Sequence, residues 1–205
     1  MQKYKVSVIF TAFNTIELVG RAIESIPVRD DVQIICIDDH STDGTEWILK
    51  NIRNARNNFV LKRNRTNKGH AMSKNIAYDL AEGEYIVQLD SDDAFVPEVF
   101  NDIVDHDLNA DLVYFDMKVN NGSIWRSSPA TTFTIMDHCS FIRRDLIGEH
   151  RCPDVTHGSG VYLNNDIQEE LKRRNGSVKY TNKVMYLYNF PRENSILDRF
   201  HKGLL

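Results

Sequence analysis

A chain of 205 residues is long enough to close one good core and too short for two comfortable domains, so one domain spanning residues 1–205 is expected. Its 41% hydrophobic content and mixed charge suit a soluble globular protein, and a net charge of -4 gives no global reason to expect nucleic acid or acidic lipid as a partner. Cys36, Cys139 and Cys152 stand far apart with no C-x-x-C pair, which argues against a zinc site or a disulfide framework and fits a reducing cytosol.

The first half alternates short β-rich runs with helical patterns. Val6 to Phe10 is an apolar run of strand length, after which Ile16, Val19, Ile23 and Ile26 recur at helical spacing, with Asn14 and Glu17 placed as a capping box. Val32 to Ile37 reads as a second strand. It leads into the polar turn Asp38 to Gly44 and a helix carrying Trp47, Ile48 and Ile52, which Asp43 is placed to cap with Glu46 at N3. Phe59 to Lys62 is a third strand, followed by a loop to Gly69 and a helix through Met72, Ile76 and Leu80 that stops near Gly83. Tyr85 to Leu89 is a fourth. Strands alternating with helices imply right-handed βαβ units and a parallel sheet whose ligands sit outside the carboxyl ends of the strands. Asn14, the turn Asp38 to Gly44, Asn67 to Gly69 and the cluster Asp90 to Asp93 should therefore share one sheet edge. Beyond Pro97 the pattern weakens to a strand at Leu112 to Met117, a hairpin turn at Asn120 to Ser123, and a helix from Ile167 to Arg174 ended by Asn175-Gly176.

The N-terminus from Met1 to Lys5 carries no apolar signal segment and no stretch approaches membrane-spanning length, so a cytoplasmic protein is expected and the sequons at Asn64, Asn121 and Asn175 read as incidental. Charge is uneven. From Trp47 to Tyr78 there is no acidic residue, while Lys50, Arg53, Arg56, Lys62, Arg63, Arg65, Lys68 and Lys74 fall there, which suits a diphosphate, a polyanionic acceptor or a solvated basic face. The fourth strand then runs straight into Asp90, Asp92 and Asp93. Unpaired, these carboxylates would repel one another, whereas a hard cation such as Mg2+ or Mn2+ takes oxygen ligands and leaves positions for phosphate oxygens. A metal-bound diphosphate is the expected ligand, and an acidic turn capping the next helix is the alternative.

Four segments in this order resemble the family 2 glycosyltransferases, whose nucleotide-diphosphosugar-binding α/β fold is usually called GT-A: Val6 to Asn14, Ile37 to Thr45, Asn67-Lys68-Gly69 with Asn75 beyond, and Leu89 to Asp93. The resemblance implies a Rossmann-like, mostly parallel sheet with helices on both faces and a short mixed C-terminal acceptor part. Residues 1–97 would form the nucleotide-sugar-binding half and 98–205 the acceptor-binding half. It implies a metal-dependent, inverting transfer of sugar from a nucleotide diphosphate donor, UDP-sugar favoured, to a hydroxyl of a glycan, with Mn2+ or Mg2+ as cofactor.

By position, the resemblance places Thr11, Ala12, Phe13 and Asn14, with Glu17, and Asp38 and Asp39 around the nucleoside, Asp39 being the base contact. Asn67, Gly69 and Lys74 fall among the donor-binding positions, Lys74 standing where the family often has Arg and still able to face the diphosphate as a point charge. Asp90 goes to the ribose or the outer metal sphere, Ser91 joins the donor-binding residues, and Asp92 goes to the cation itself. In the second half Asp166 matches the general base, its usual acidic neighbour replaced by Asn165. Its place before Ile167 equally suits an N-cap, with Glu169 completing a capping box. His157 is a candidate metal or acceptor ligand and Arg192 a phosphate clamp. Thr11, where the family commonly has Pro, and His40, in place of a small residue, depart from the pattern at the nucleoside pocket.

Other readings fit less well. The chain has no Gly before Gly20, so it lacks the glycine-rich first loop of sugar-nucleotide pyrophosphorylases and of Rossmann dehydrogenases. Asp-x-Asp phosphatases carry their motif after the first strand rather than the fourth. A sugar transferase acting on a polyanionic acceptor such as modified DNA, and a non-catalytic nucleotide-sugar-binding module, are the remaining alternatives.

Overall fold

The computed structural model describes residues 3–128, 139–154 and 159–189. Its first half follows the expected alternation: β1 (Val6–Ala12), α1 (Val19–Glu24), β2 (Val32–Asp38), α2 (Thr45–Ala55), β3 (Phe59–Arg63), α3 (His70–Leu80) and β4 (Tyr85–Asp90). The second half contains β5 (Ala94–Phe95), α4 (Pro97–His106), β6 (Leu112–Val119), β7 (Ile124–Trp125), β8 (Ser140–Arg143), α5 (Arg144–Ile147), α6 (Ser159–Arg174) and β9 (Val178–Tyr188).

One sheet takes in all of these strands in the order β3-β2-β1-β4-β8-β6-β9-β5, with β7 paired to β6. The β3-β2-β1-β4 block and the β6–β9 pair are parallel, while β8, β7 and β5 join antiparallel. Because β1 lies between β2 and β4, the chain winds outward from β1 and then returns on its other side. This is the topological switch point at which open α/β sheets bind ligands.

Alternating side chains of β1 divide the core. Val6, Val8, Phe10 and Ala12 pack with α1, α2 and α4, and Ile9 packs on the opposite face with residues of α3, α5 and α6. Helices thus cover both faces, as parallel strands buried on two sides require. The helix α4 escaped the sequence reading although Phe100, Ile103 and Val104 have helical spacing behind a Pro at N1.

Three local expectations are corrected. Asn14 and Glu17 do not cap α1, which starts at Val19 behind Leu18. Asn14 instead takes a left-handed conformation (φ 51°) and its Oδ1 accepts from Thr42 N at 2.8 Å, a bond available only because the next loop lies alongside. Gly44, at φ 99°, is the N-cap of α2, so Glu46 falls at N2. Asp43 still serves that helix start by accepting from Thr45 N at 3.0 Å. Finally α3 ends at Leu80, three residues before Gly83.

Gly83 answers a packing demand instead. A Cβ there would stand 2.4 Å from Ser7 N, and Gly83 N donates to Ser7 Oγ at 2.8 Å, while Ser7 Oγ donates to Gln33 Oε1 at 2.6 Å. That close approach completes the bonding of the buried polar pair on β1 and β2, which Glu82 N and Leu80 O also serve through Gln33. Gly83→Ala should destabilise the fold by roughly 1–3 kcal/mol, because backbone rather than a flexible side chain must give way. Chemical denaturation checks this, and an unchanged midpoint would contradict it.

Candidate active site

Strand register builds the site edge. Ala12 pairs with Asp38 across β1 and β2, and Thr11 pairs with Asp90 across β1 and β4, so the three loops begin side by side at strand spacings of about 5 Å. The first two loops are laced together: Asp39 N donates to Ala12 O at 2.8 Å, Asn14 N to Ser41 Oγ at 3.0 Å, Thr15 N to Thr45 Oγ1 at 2.9 Å and Ile16 N to Asp43 Oδ2 at 3.0 Å. Phe13, Asn14 and Glu17 remain exposed on this rim.

The paired aspartates have different duties. Asp38 is fully buried and held by Arg63 Nη1 at 2.8 Å, and it accepts from Ser41 N. Asp39, also buried, organises the third loop: Oδ1 accepts from Asn64 Nδ2 at 2.7 Å and Lys68 N at 2.8 Å, and Oδ2 from Gly69 N at 2.8 Å. Asn67 Oδ1 accepts from Gly69 N too, at 3.0 Å, and Gly69 sits at φ 84°, a conformation that favours glycine. Thr11 Oγ1 and His70 Nδ1, 2.9 Å apart, close the other side of that loop. His40 adopts φ 69°, and its buried Nδ1 finds no hydrogen-bond partner among the described residues. Lys74 lies on the buried face of α3.

The three carboxylates after β4 do not face one another as equals. Asp93 is buried, with Oδ2 accepting from the Tyr186 hydroxyl at 2.7 Å and Oδ1 from Asn189 N at 2.8 Å. Burial and the negative charge of Asp90 push its pKa up to about 7. One acid of the three is thus turned into the core, where the charge of Asp90 still bears on it. Asp90 and Asp92 stay partly exposed at the strand end, where Arg21 Nη2 holds Asp92 O at 2.8 Å and the Tyr186 hydroxyl accepts from Asp90 N at 3.2 Å.

That leaves an oxygen donor set which fits Mg2+ or Mn2+, since such ions are bound by one or two carboxylates with phosphates and water completing the shell. Among the described residues no group of three His, Cys, Asp or Glu side chains could hold an ion alone, so diphosphate oxygens would have to share the coordination.

In the second half, Asp166 lies in the middle of α6 rather than at its start, so it is not an N-cap. Buried Leu163 and Asn164 anchor the preceding turn against the core and carry the helix back to Ser159. Its side chain is 47% exposed, with Oδ2 3.6 Å from His150 Nδ1, and Glu169 is exposed on the same helix. Asn75 ties α3 to the segment before α6, donating to Cys152 O at 2.8 Å and accepting from Cys152 N at 2.9 Å. His157 and Arg192 lie outside the described residues.

The basic segment divides by role. Lys50 pairs with Glu46 and Arg63 with Asp38 and Glu46, and Arg56 donates to Ile26 O, whereas Arg53, Lys62, Arg65 and Lys68 are exposed. Sequence reasoning missed Tyr186, Arg21 and Asn189 as supports of the carboxylate loop, because nothing local links them to it.

The glycosyl transferase family 2 model matches residues 7–170, and the chain belongs to this family. It is 30% identical over 178 residues to the poly(ribitol-phosphate) beta-N-acetylglucosaminyltransferase TarS of Staphylococcus aureus, covering 82% of this chain and 30% of TarS. It is 33% identical over 112 residues to the Escherichia coli UDP-Glc:alpha-D-GlcNAc-diphosphoundecaprenol beta-1,3-glucosyltransferase WfaP, covering 54% of this chain and 43% of WfaP. The chain therefore spans less than half the length of these relatives. The crystal structure of S. aureus TarS 1-349 in complex with UDP-GlcNAc superposes with a TM-score of 0.76 at 22% identity over 94% of this chain and 60% of that one. The Pyrobaculum calidifontis mannosyltransferase PcManGT in complex with GDP-Man and Mn2+ gives 0.67 at 18% identity, over 97% and 61%. The fold is thus that of these glycosyltransferases, α/β with a mixed, mostly parallel sheet. No helix among the described residues is long and apolar enough to cross a membrane.

If Asp39 holds the third loop as its bonds indicate, Asp39→Ala should speed amide exchange at Lys68 and Gly69 on the order of tenfold or more. Hydrogen exchange resolved by residue measures it, and unchanged protection would show that the loop is held otherwise.

Proposed function

We propose that this domain transfers a sugar from a nucleotide diphosphate, UDP favoured, to an acceptor hydroxyl with inversion, using Mn2+ or Mg2+ at Asp90 and Asp92. The register that sets Asp90 level with Thr11, in a chain of this family, carries the reading. The UDP preference is supported by the UDP-Glc donor in the name of WfaP. Residues 1–97 serve the donor and 98–205 the acceptor.

In this reading Thr11 to Asn14 border the nucleoside. Asp39 reads the base with the acceptor capacity that its three N–H donors leave, since a carboxylate offers about four lone-pair sites. Asn67, Gly69, Lys74 and Ser91 flank the diphosphate and ribose. A bound divalent cation supplies charge neutralisation for the departing diphosphate. Asp166 takes the proton of the acceptor hydroxyl while its oxygen attacks the anomeric carbon from the face opposite the breaking bond.

Two measurements test this. Calorimetry of UDP binding should give tight binding with Mn2+ and little with EDTA, and Asp92→Ala should remove the difference; equal affinity with Mn2+ and EDTA would defeat the metal role. Asp166→Asn should keep UDP binding and lose about 10²–10⁴-fold in turnover. A near wild-type rate would move the base elsewhere, with Glu169 and Asp154 next. Product of retained anomeric configuration by NMR would exclude single displacement.

A second reading of the acceptor, as a polyanion, is favoured by exposed Arg53, Lys62, Arg65 and Lys68 and by relatives named for poly(ribitol-phosphate). Steep loss of acceptor binding with salt would distinguish it from a neutral glycan.

A further inference from the structure

The β6–β7 hairpin rises at the same sheet end as the carboxylate loop, because β6 and β9 run parallel with Val119 opposite Tyr188. At its outer arm Trp125 is 42% exposed and meets the Tyr188 ring edge-on, with centroids 6.2 Å apart at 63°. Tyr188 belongs to the rim of the acidic site. The next residue, Asn189, donates its N–H to Asp93 Oδ1 at 2.8 Å, which sets Tyr188 beside the carboxylate loop.

The hairpin is also braced. Fully buried Asp116 accepts from Ser127 N and Arg126 Nη1, both at 2.9 Å, and Ser127 Oγ donates to Phe115 O. Asn120 Nδ2 donates to Asn189 Oδ1 at 2.6 Å, and Asn189 N reaches Asp93 Oδ1 at 2.8 Å, which joins the turn to the carboxylate loop itself. A half-exposed indole is thus held beside the acids by several polar anchors.

We propose that Trp125, backed by Tyr188, is the platform of an acceptor subsite for a pyranose ring, whose C–H face stacks on the indole while its hydroxyls turn to the acidic rim. The chemistry favours a sugar over two rivals. A nucleobase would stack equally well, but the β1 and β2 loops that border the nucleoside lie across β4, while the hairpin stands beyond β8. A purely apolar partner would gain nothing from neighbouring carboxylates. The assignment rests on the donor reading above for its direction, acceptor rather than donor, but not for the presence of the platform.

The test is saturation-transfer NMR on the protein with methyl β-D-glucopyranoside and methyl N-acetyl-β-D-glucosaminide, with the acyclic polyol sorbitol as comparison, each with and without UDP and Mn2+. At least one cyclic sugar should receive saturation and sorbitol should not. Trp125→Ala should weaken that sugar's binding roughly five- to tenfold, Trp125→Phe should recover part of it, and calorimetric UDP affinity should be unchanged in both variants. Sugar binding that survives Trp125→Ala, equal transfer to sorbitol, or no transfer to either sugar would overturn the platform. A fall in UDP affinity would place Trp125 on the donor instead. Failure of UDP to bind the wild type while the sugar signal depends on Trp125 would sink the donor reading and leave the platform standing.

Discussion

Everything at the site edge depends on the in-register pairing of β1 between β2 and β4. Parallel neighbours lie about 5 Å apart, so Asp38, Thr11 and Asp90 are brought into a row by backbone hydrogen bonds before any side chain contributes. A one-residue slip of any of these strands would turn its side chains to the opposite face and send the following loop elsewhere. Near-complete burial of Val6 to Phe10 and Val32 to Ile37 prevents the slip, since the two helical layers would both lose their apolar contacts.

On that frame six aspartates within a small region are sorted by what each carboxylate receives. Asp38 is neutralised by Arg63, Asp39 accepts three N–H donors from Asn64 and the following loop, Asp43 serves the start of α2, and Asp93 is drawn inward by Tyr186 and Asn189. Each is an acid buried or half-buried with partners, as the cost of desolvating an unpaired charge demands. Asp90 and Asp92 stay partly exposed at the strand end, their backbone atoms held by Tyr186 and Arg21 while Asp90 Oδ1 accepts from Gln88 Nε2 at 3.2 Å. A fixed main chain beneath partly exposed acids suits a position that must accept a charged ligand without moving.

Much of this was legible in the chain because it is local. Strands up to β4 have apolar runs bounded by polar turns, and the βαβ rule then assigns their loops to one edge without further information. What the chain conceals is either short or distant. Two-residue β5 and the insertion of β8 between β4 and β6 have no periodicity to reveal them. Asn14 looked like a cap because the Asn to Glu spacing is a cap signature, yet the backbone N–H that claimed it lies on another loop, at Thr42. The start of α6 was hidden for a related reason: Asn164, Asn165 and Asp166 favour caps over helix interiors, and burial of Leu163 and Asn164 overrides that preference. At the site, residue type pointed to Asp90 and Asp92, but only the fold could separate them from Asp93.

At the site the two halves meet through polar contacts set beside a shared apolar seam, in which Tyr186 packs edge-on against Phe95. Tyr186 and Asn189, from the last described strand and its exit, bind Asp93 of the loop after β4, and Asn189 also receives Asn120 of the hairpin. Any shift of the carboxylate loop is therefore felt at the hairpin through two hydrogen bonds, and any shift of β9 is felt at Asp93. A hydrophobic contact of the same area would tolerate sliding, because it has no preferred direction. Directional bonds to a buried carboxylate do not. The position of β9 and the hairpin relative to the carboxylate loop is thus set by directional bonds with little slack, which suits the in-line attack proposed above.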